Sequence, residues 1–108
     1  MIDRSAEIMM RRNCKIRRLS DGDETGLAVD FLAPYPDNEG TFFGEGRLIC
    51  DFFSRRFRVI GEDEVQALSL VMGVMLNYMQ HASDSGEYLI YWAEPGDLKI
   101  ADFWRYQL

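Results

Sequence analysis

DEVQALSLVMGVMLNYMQ, residues 63–80, is the stretch whose reading decides the fold, because it is the one long segment with helical spacing. Asp63 can cap its start, the carboxylate accepting from an otherwise unpaired backbone N–H of the first turn. Gln66, three residues on, completes the capping-box pattern. Glu62 and Glu64 add negative charge where the helix dipole is positive. At 1.5 Å per residue, about 18 residues make a rod of roughly 27 Å. Placed around a helix, Val65, Leu68, Met72, Met75, Leu76 and Met79 form one apolar stripe. Ala67, Val71, Val74 and Tyr78 widen it, and Leu70 lies just beyond. Gln66, Ser69, Gly73, Asn77 and Gln80 share a narrower polar strip. An apolar sector of more than half the circumference exceeds what one buried face requires. Two covers are therefore expected: a sheet on one side, and the C-terminal tail or a second subunit on the other. The second cover is the ground for expecting a homodimer. Met72, Met75 and Met79 fall at core spacing, which outweighs the reading of a methionine-rich binding groove. The polar positions interrupt the run well short of the ~20 apolar residues of a membrane span.

Upstream of the helix the period changes to two. Ile8, Met10, Cys14 and Ile16 point one way and Arg11, Asn13, Lys15 and Arg17 the other, with Arg12 breaking the alternation. A basic amphipathic helix competes, since Ala6, Met9, Met10 and Asn13 also fall at helical spacing. The strand is preferred because the turn signal SDGDETG follows closely. A second strand is expected at 27–33, a loop at PYPDNEG, a third strand at 46–53 and a fourth at 56–60. Ser54 and Arg55 would form the tight link of a hairpin. After the helix, HASDSGE reads as loop, 88–92 as a further strand and AEPGD as a turn. LKIADFWRYQL closes the chain. The fold class expected is α+β: an antiparallel sheet of about four strands packed by one long helix, with a short C-terminal strand and an aromatic tail.

A chain of 108 residues makes one domain, 1–108, with 1–7 expected to be a mobile lead-in. Its 47% hydrophobic and 28% charged residues belong to a globular protein rather than a disordered one. No apolar run with a small-residue cleavage site opens it, so cytoplasmic residence is expected, and Cys14 and Cys50 are expected as free thiols. The net charge of −6 is unevenly spread. Arg4, Arg11, Arg12, Lys15, Arg17 and Arg18 outweigh Asp3 and Glu7 at the N-terminal end, and the remainder is strongly acidic.

The run RFRVIG to EDEVQALSLVM, with APYPDNEG before it and YWAEPGDL after it, resembles a family of small uncharacterised bacterial proteins. In that family a hairpin leads into a helix opened by an acidic cap and a Gln-Ala-Leu triplet, and a Trp with a Gly-Asp-Leu turn follows. Asp63, Gln66, Ala67 and Leu68 match the helix start; Trp92, Gly96, Asp97 and Leu98 match the turn. The similarity spans roughly residues 12–100. It implies a fold and no activity.

Catalytic signals are missing. His81 is the single histidine and sits at the end of the helix, where it favours the dipole. One His and two distant Cys give no zinc spacing, and no nucleophile elbow, phosphate loop or dinucleotide fingerprint is present. The carboxylates at Asp21, Asp23, Glu24, Glu62, Asp63 and Glu64 already have turn or capping roles. No cofactor and no enzyme are expected. Two binding readings remain. Trp92, Phe103, Trp104 and Tyr106 suit a partner interface, although closing the core over the helix would use the same rings. Arg11, Lys15, Arg17, Arg56 and Arg58, with Arg47 near them, would share the outer sheet face and suit phosphates, unless Asp30 and Asp51 neutralise them. The expectation is a non-enzymatic binding or structural module acting through protein contacts. Its specific version is a toxin-neutralising immunity protein, the small acidic partner of a basic nuclease. The alternative is a nucleic-acid-associated protein using the basic outer face, although no glycine-aromatic strand motif for stacking bases is present.

Overall fold

The computed structural model describes residues 8–104, so the lead-in expected at 1–7 and the tail residue Tyr106 lie outside the described residues. Six strands form one sheet: β1 (Ile8–Arg18), β2 (Glu24–Leu32), β3 (Tyr35–Pro36), β4 (Phe42–Ile49), β5 (Ser54–Gly61) and β6 (Tyr88–Tyr91). The helix α1 spans Glu64–Asp84, and a 3-10 turn spans Ile100–Asp102. Every ladder is antiparallel. β6 pairs with β1, β1 with β2, β2 with one edge of β4, and β5 with the other edge of β4. β3 lies along the same edge of β4 as β2, after the break at Pro34. The architecture is the expected α+β sheet and helix, with six strands instead of about four.

Three differences from the sequence reading have physical causes. PYPDNEG was expected to be all loop, but Tyr35 and Pro36 pair with Phe43 and Phe42 before the chain turns. The hairpin turn falls at 50–53 rather than at Ser54 and Arg55, which instead pair with Ile49 and Leu48. The apolar run through Phe52 and Phe53 mimics a continuing strand. In the fold those rings reach away to Tyr88 and Tyr78, at centroid distances of 5.5 Å for Phe53–Tyr88 and 6.3 Å for Phe53–Tyr78. Arg12, finally, does not break the alternation of β1. It pairs with Val29 on the inner face, where its guanidinium lies 4.7 Å from the Trp92 ring and donates to the Phe103 carbonyl. An aromatic floor and a carbonyl make the apolar side of the sheet tolerable for the cation.

The helix begins as its sequence dictates. Asp63 is extended, and its carboxylate accepts from Gln66 N–H at 2.7 Å, while the Gln66 amide accepts from Glu62 N–H at 2.6 Å. It runs to Asp84, past the expected end at 80. Gly86, at φ +78°, supplies the left-handed residue that stops it. Ala67, Val71, Met75 and Met79 are the buried line, one residue every turn. They can lie close to the sheet because β4 and β5 offer glycines. Gly44 and Gly61 face the backbone of Ala67, and Gly46 lies under Met75.

The second cover of the helix is the tail. Ile100 and Ala101 line a shallow cleft with Gly73, Leu76, Asn77 and Gln80 of the helix, and Phe103 is fully buried. Phe103 stacks on Trp92 at 5.0 Å and meets Trp104 at 4.7 Å; Trp104 in turn meets Phe31 at 4.4 Å. Cys14 is buried and Cys50 half-buried, and neither forms a disulfide. Cys14 pairs with Leu27 while Ile49 pairs with Ala28, so β2 lies between the two cysteines and sets their Cα atoms about two strand spacings apart, roughly 10 Å. That exceeds the ~7 Å Cα limit for a bridge. Burial pushes the Cys14 thiol up to about 12.

Candidate functional site

The outer face of the sheet carries the polar chemistry. Ladder register puts Arg11, Lys15 and Arg17 of β1 on it, with Glu24 and Asp30 of β2, Glu45 and Arg47 of β4, and Arg56 and Arg58 of β5. Its centre is Asp30, fully buried and clamped by Arg11 through bonds of 2.5 and 2.7 Å, with Arg47 at 3.5 Å on the other side. The bidentate bond to Asp30 raises Arg11 further above its already high value. Glu24 lies 3.8 Å from Lys15 and 3.4 Å from Arg17 and accepts from the buried Tyr91 hydroxyl. That hydroxyl bond, ahead of the two cations, holds Glu24 below the usual carboxylate range against the penalty of burial. Glu45, nearly buried, accepts from Tyr35 at 2.9 Å and sits 3.8 Å from Arg56. Asp51, expected on this face, instead is exposed in the 50–53 turn. The neutralising carboxylates are therefore Asp30, Glu24 and Glu45.

All five sequence-picked cations, Arg11, Lys15, Arg17, Arg56 and Arg58, do share the face, but they are not equally available. Arg11, Lys15 and Arg17 are spoken for by carboxylates of β2. Arg56 keeps two-thirds of its side chain in water, 67% exposed, and Arg58 lies over the Phe43 ring at 4.7 Å. The surplus of positive charge is thus concentrated on β5. The aromatic candidates divide differently: Phe103 belongs wholly to the core, while Trp92 and Trp104 are half-buried against it.

β5 is an edge strand, and sequence reasoning pointed to two of its arginines, Arg56 and Arg58, but not to its edge. Its sequence SRRFRVIG alternates, with Phe57 and Val59 facing the helix and Ser54, Arg56, Arg58 and Ile60 facing outward. Cys50 N–H donates to the Phe53 carbonyl at 3.0 Å, which makes 50 and 53 a bonded pair and sets the alternation of the ladder beyond it. Ser54, Arg56, Arg58 and Ile60 then turn their backbone N–H and C=O away from β4. Among the described residues they have no other backbone partner.

The helix borders the same edge. Leu70, Val74 and Tyr78 form one ridge at four-residue spacing. Tyr78 sits on the β5 side, 5.4 Å from Phe57, with the Arg55 guanidinium 5.5 Å from its ring. Leu70 and Val74, farther along, remain 45% and 42% exposed, and Ile60 at the end of the strand is 57% exposed. A different charge marks the end where β5 runs into the helix. Asp37 and Glu39 line a shallow cleft there with Pro36, Asn38, Phe43 and Ile60, and Glu62, Asp63 and Glu64 follow directly on the end of the strand at Gly61. Asp37 accepts from the Thr41 hydroxyl at 2.6 Å and from the Glu39 N–H at 2.8 Å, and these bonds hold its carboxyl below the usual range.

The turn at 92–97 is structural. Asp97 accepts from the N–H groups of Trp92, Ala93 and Glu94 at 2.7, 2.8 and 3.0 Å, and Gly96 takes φ +92°. Burial disfavours the Asp97 charge, but the three backbone donors prevail and its pKa is lowered. Among the described residues no group of three His, Cys, Asp or Glu side chains converges as metal ligands would, and no helix is long and apolar enough to cross a membrane. No protein-family model matches the chain, and neither a curated protein nor a solved structure matches it.

Proposed function

We propose that this chain is a non-enzymatic binding module that acts through protein contacts, and that the β5 edge is its contact surface. Scattered exposed apolar side chains are ordinary. What carries the reading is their coincidence with unpaired backbone: Leu70 and Val74 stand in water beside a strand edge of eight residues. One extended segment of a partner would satisfy both, its main chain pairing with β5 and its side chains covering the ridge. The decisive experiment compares affinity capture from extracts of the native host by the parent and by a Leu70→Asp/Val74→Asp variant. Both substituted positions are exposed, so the variant should fold. A specific protein retained by the parent and lost by the variant is expected; identical retained proteins would sink the reading.

The more specific version is a cytoplasmic toxin-neutralising immunity protein. It draws support from the acidic residues at that end, Asp37 and Glu39 in the cleft with Ile60 and the exposed Glu62 and Glu64 where the chain enters the helix, whose charge is complementary to a basic nuclease. Co-expression with the product of a neighbouring reading frame is the direct test, with rescue of growth expected. The homodimer that the width of the helix suggested rests on less ground now that the tail covers one flank. A second reading, nucleic-acid association, is favoured by one observation: Arg11, Lys15, Arg17, Arg47, Arg56 and Arg58 outnumber Glu24, Asp30 and Glu45 on the outer face. It requires oligonucleotide binding that weakens steeply between 50 and 200 mM salt, by about 10³-fold or more for six phosphate contacts.

A further inference from the structure

We infer that the edge of β5 takes one extended protein segment in which acidic and apolar side chains alternate. The inference rests on the reading of β5 as a contact edge and names the chemistry of what it contacts. In an antiparallel ladder directly opposite residues share a face. A strand added to β5 would bond to the outward backbone groups of Ser54, Arg56, Arg58 and Ile60. Its residues opposite Arg56 and Arg58 would stand on the outer face, beside two guanidinium groups that, among the described residues, have Glu45 as their one nearby carboxylate. Those positions call for Asp or Glu. The residues between them would face the helix side, against Phe57 and Val59 and beneath Leu70 and Val74, and those positions call for apolar side chains. Five to seven residues of this pattern cover the edge.

Charge excludes the competing occupants. A second copy would have to lay β5 against itself, and every antiparallel register centred on the strand sets Arg56 or Arg58 opposite an arginine of the other copy. A basic segment meets Arg55, Arg56 and Arg58 together. A nucleic acid would satisfy the arginines and leave the backbone edge and the Leu70–Val74 ridge uncovered.

The test uses the full chain and four soluble peptides. The first is a seven-residue peptide alternating Val and Glu; the second has the same composition with its glutamates in a block. The third has Lys for Glu, and the fourth is the first with alternate backbone nitrogens methylated. Binding is followed by amide chemical shifts and by hydrogen exchange. The alternating acidic peptide should bind at least tenfold tighter than the other three and slow exchange at Arg56, Arg58 and Ile60. An Arg56→Gln/Arg58→Gln variant should lose at least tenfold of that affinity with its unfolding midpoint little changed. Equal binding of all four peptides, or protection confined to another element, overturns the inference. So do a concentration-dependent dimer or oligonucleotide binding that the same variant abolishes. Failure of the parent reading looks different. If host capture is lost in Leu70→Asp/Val74→Asp but persists in Arg56→Gln/Arg58→Gln, the edge binds protein and the acidic pattern is refuted. If neither variant alters capture, both fall.

Discussion

Replacing Gly44 by alanine probes how closely the helix is pressed on the sheet. Gly44 faces the helix from the middle of β4, opposite Val59, and a Cβ built there would lie 2.6 Å from the carbonyl carbon of Ala67 and 3.3 Å from its Cα. Carbon pairs rest at about 3.5–4.0 Å, so one element must retreat by about 1 Å. Neither side of the clash is a flexible side-chain end; both are backbone. A gap of that size along the line Ala67, Val71 and Met75 forfeits about a quarter to a half of each contact. Overpacking costs about 1–3 kcal/mol, and two backbones that cannot swing aside place Gly44→Ala at the upper end, about 3 kcal/mol. Gly73 is the control. It lies on the exposed side of the same helix, with open space where its Cβ would be, so Gly73→Ala should gain about 0.5–1 kcal/mol from helix propensity. Urea unfolding followed by tryptophan fluorescence and far-ultraviolet dichroism measures both. With a slope of about 1.5 kcal/mol per molar, Gly44→Ala lowers the midpoint by about 2 M. A Gly44→Ala protein within about 0.5 kcal/mol of its parent would refute the close packing, as would the two substitutions shifting stability the same way.

Phe103→Ala should cost about 3–5 kcal/mol, because the ring is fully buried between Trp92 and Trp104; a shift below about 1 kcal/mol in the same urea assay would return the tail to the role of an interface. Cys14 makes stability fall with alkali. Its thiol is held up at about 12 in the fold against an ordinary 9.0, so the unfolded chain loses the thiol proton first and stability drops above pH 9 with a slope of up to about 1.4 kcal/mol per pH unit. Cys14→Ala should flatten that limb, and an unchanged limb would contradict the burial. Asp97, Asp37 and Glu24 act at the other end of the scale: their lowered pKa values give stability that is complete above the ordinary carboxylate range and lost as pH falls through the lowered values. Asp97→Asn should therefore speed amide exchange at Trp92, Ala93 and Glu94 at neutral pH, and protection equal to the parent's would show that the carboxylate does not organise the turn.

The helix was legible because its signals are local. An acidic cap, a Gln at the third position and four-residue apolar spacing all sit within one segment, and the strand β1 showed its period of two despite Arg12. The 50–53 turn was misplaced because Phe52 and Phe53 carry strand-like side chains whose partners, Tyr78 and Tyr88, are distant in sequence. The glycines that admit the helix were visible as residues, yet their purpose depends on Ala67 lying across them. The outer-face cations could be grouped by register, whereas their availability could not. That depends on where Asp30, Glu24 and Glu45 pair, and the 50–53 turn takes Asp51 off the face. The β5 edge was not recognisable as a site at all. Whether a strand lies at an edge is a property of the sheet order, and no composition or spacing within SRRFRVIG states it.

Arginines on an exposed edge have a protective role, since charge deters edge-to-edge pairing. Protection alone would be served by lysines waving freely in water. Here Arg58 is laid on Phe43 and Arg55 on Tyr78, so two of the three guanidinium planes are already fixed by rings. A fixed cation loses less freedom when a carboxylate arrives, which favours binding as well as repulsion. At the other end of the sheet β6 is four residues long and, among the described residues, pairs with residues 15–18 of β1 alone. Removing the ring beneath a guanidinium therefore distinguishes the two roles. Phe43→Leu leaves the charge of Arg58 in place and frees its side chain. A purely protective arginine keeps the protein monomeric and changes nothing else, whereas a presented one loses several-fold in affinity for the alternating acidic peptide while sedimentation still reports a monomer.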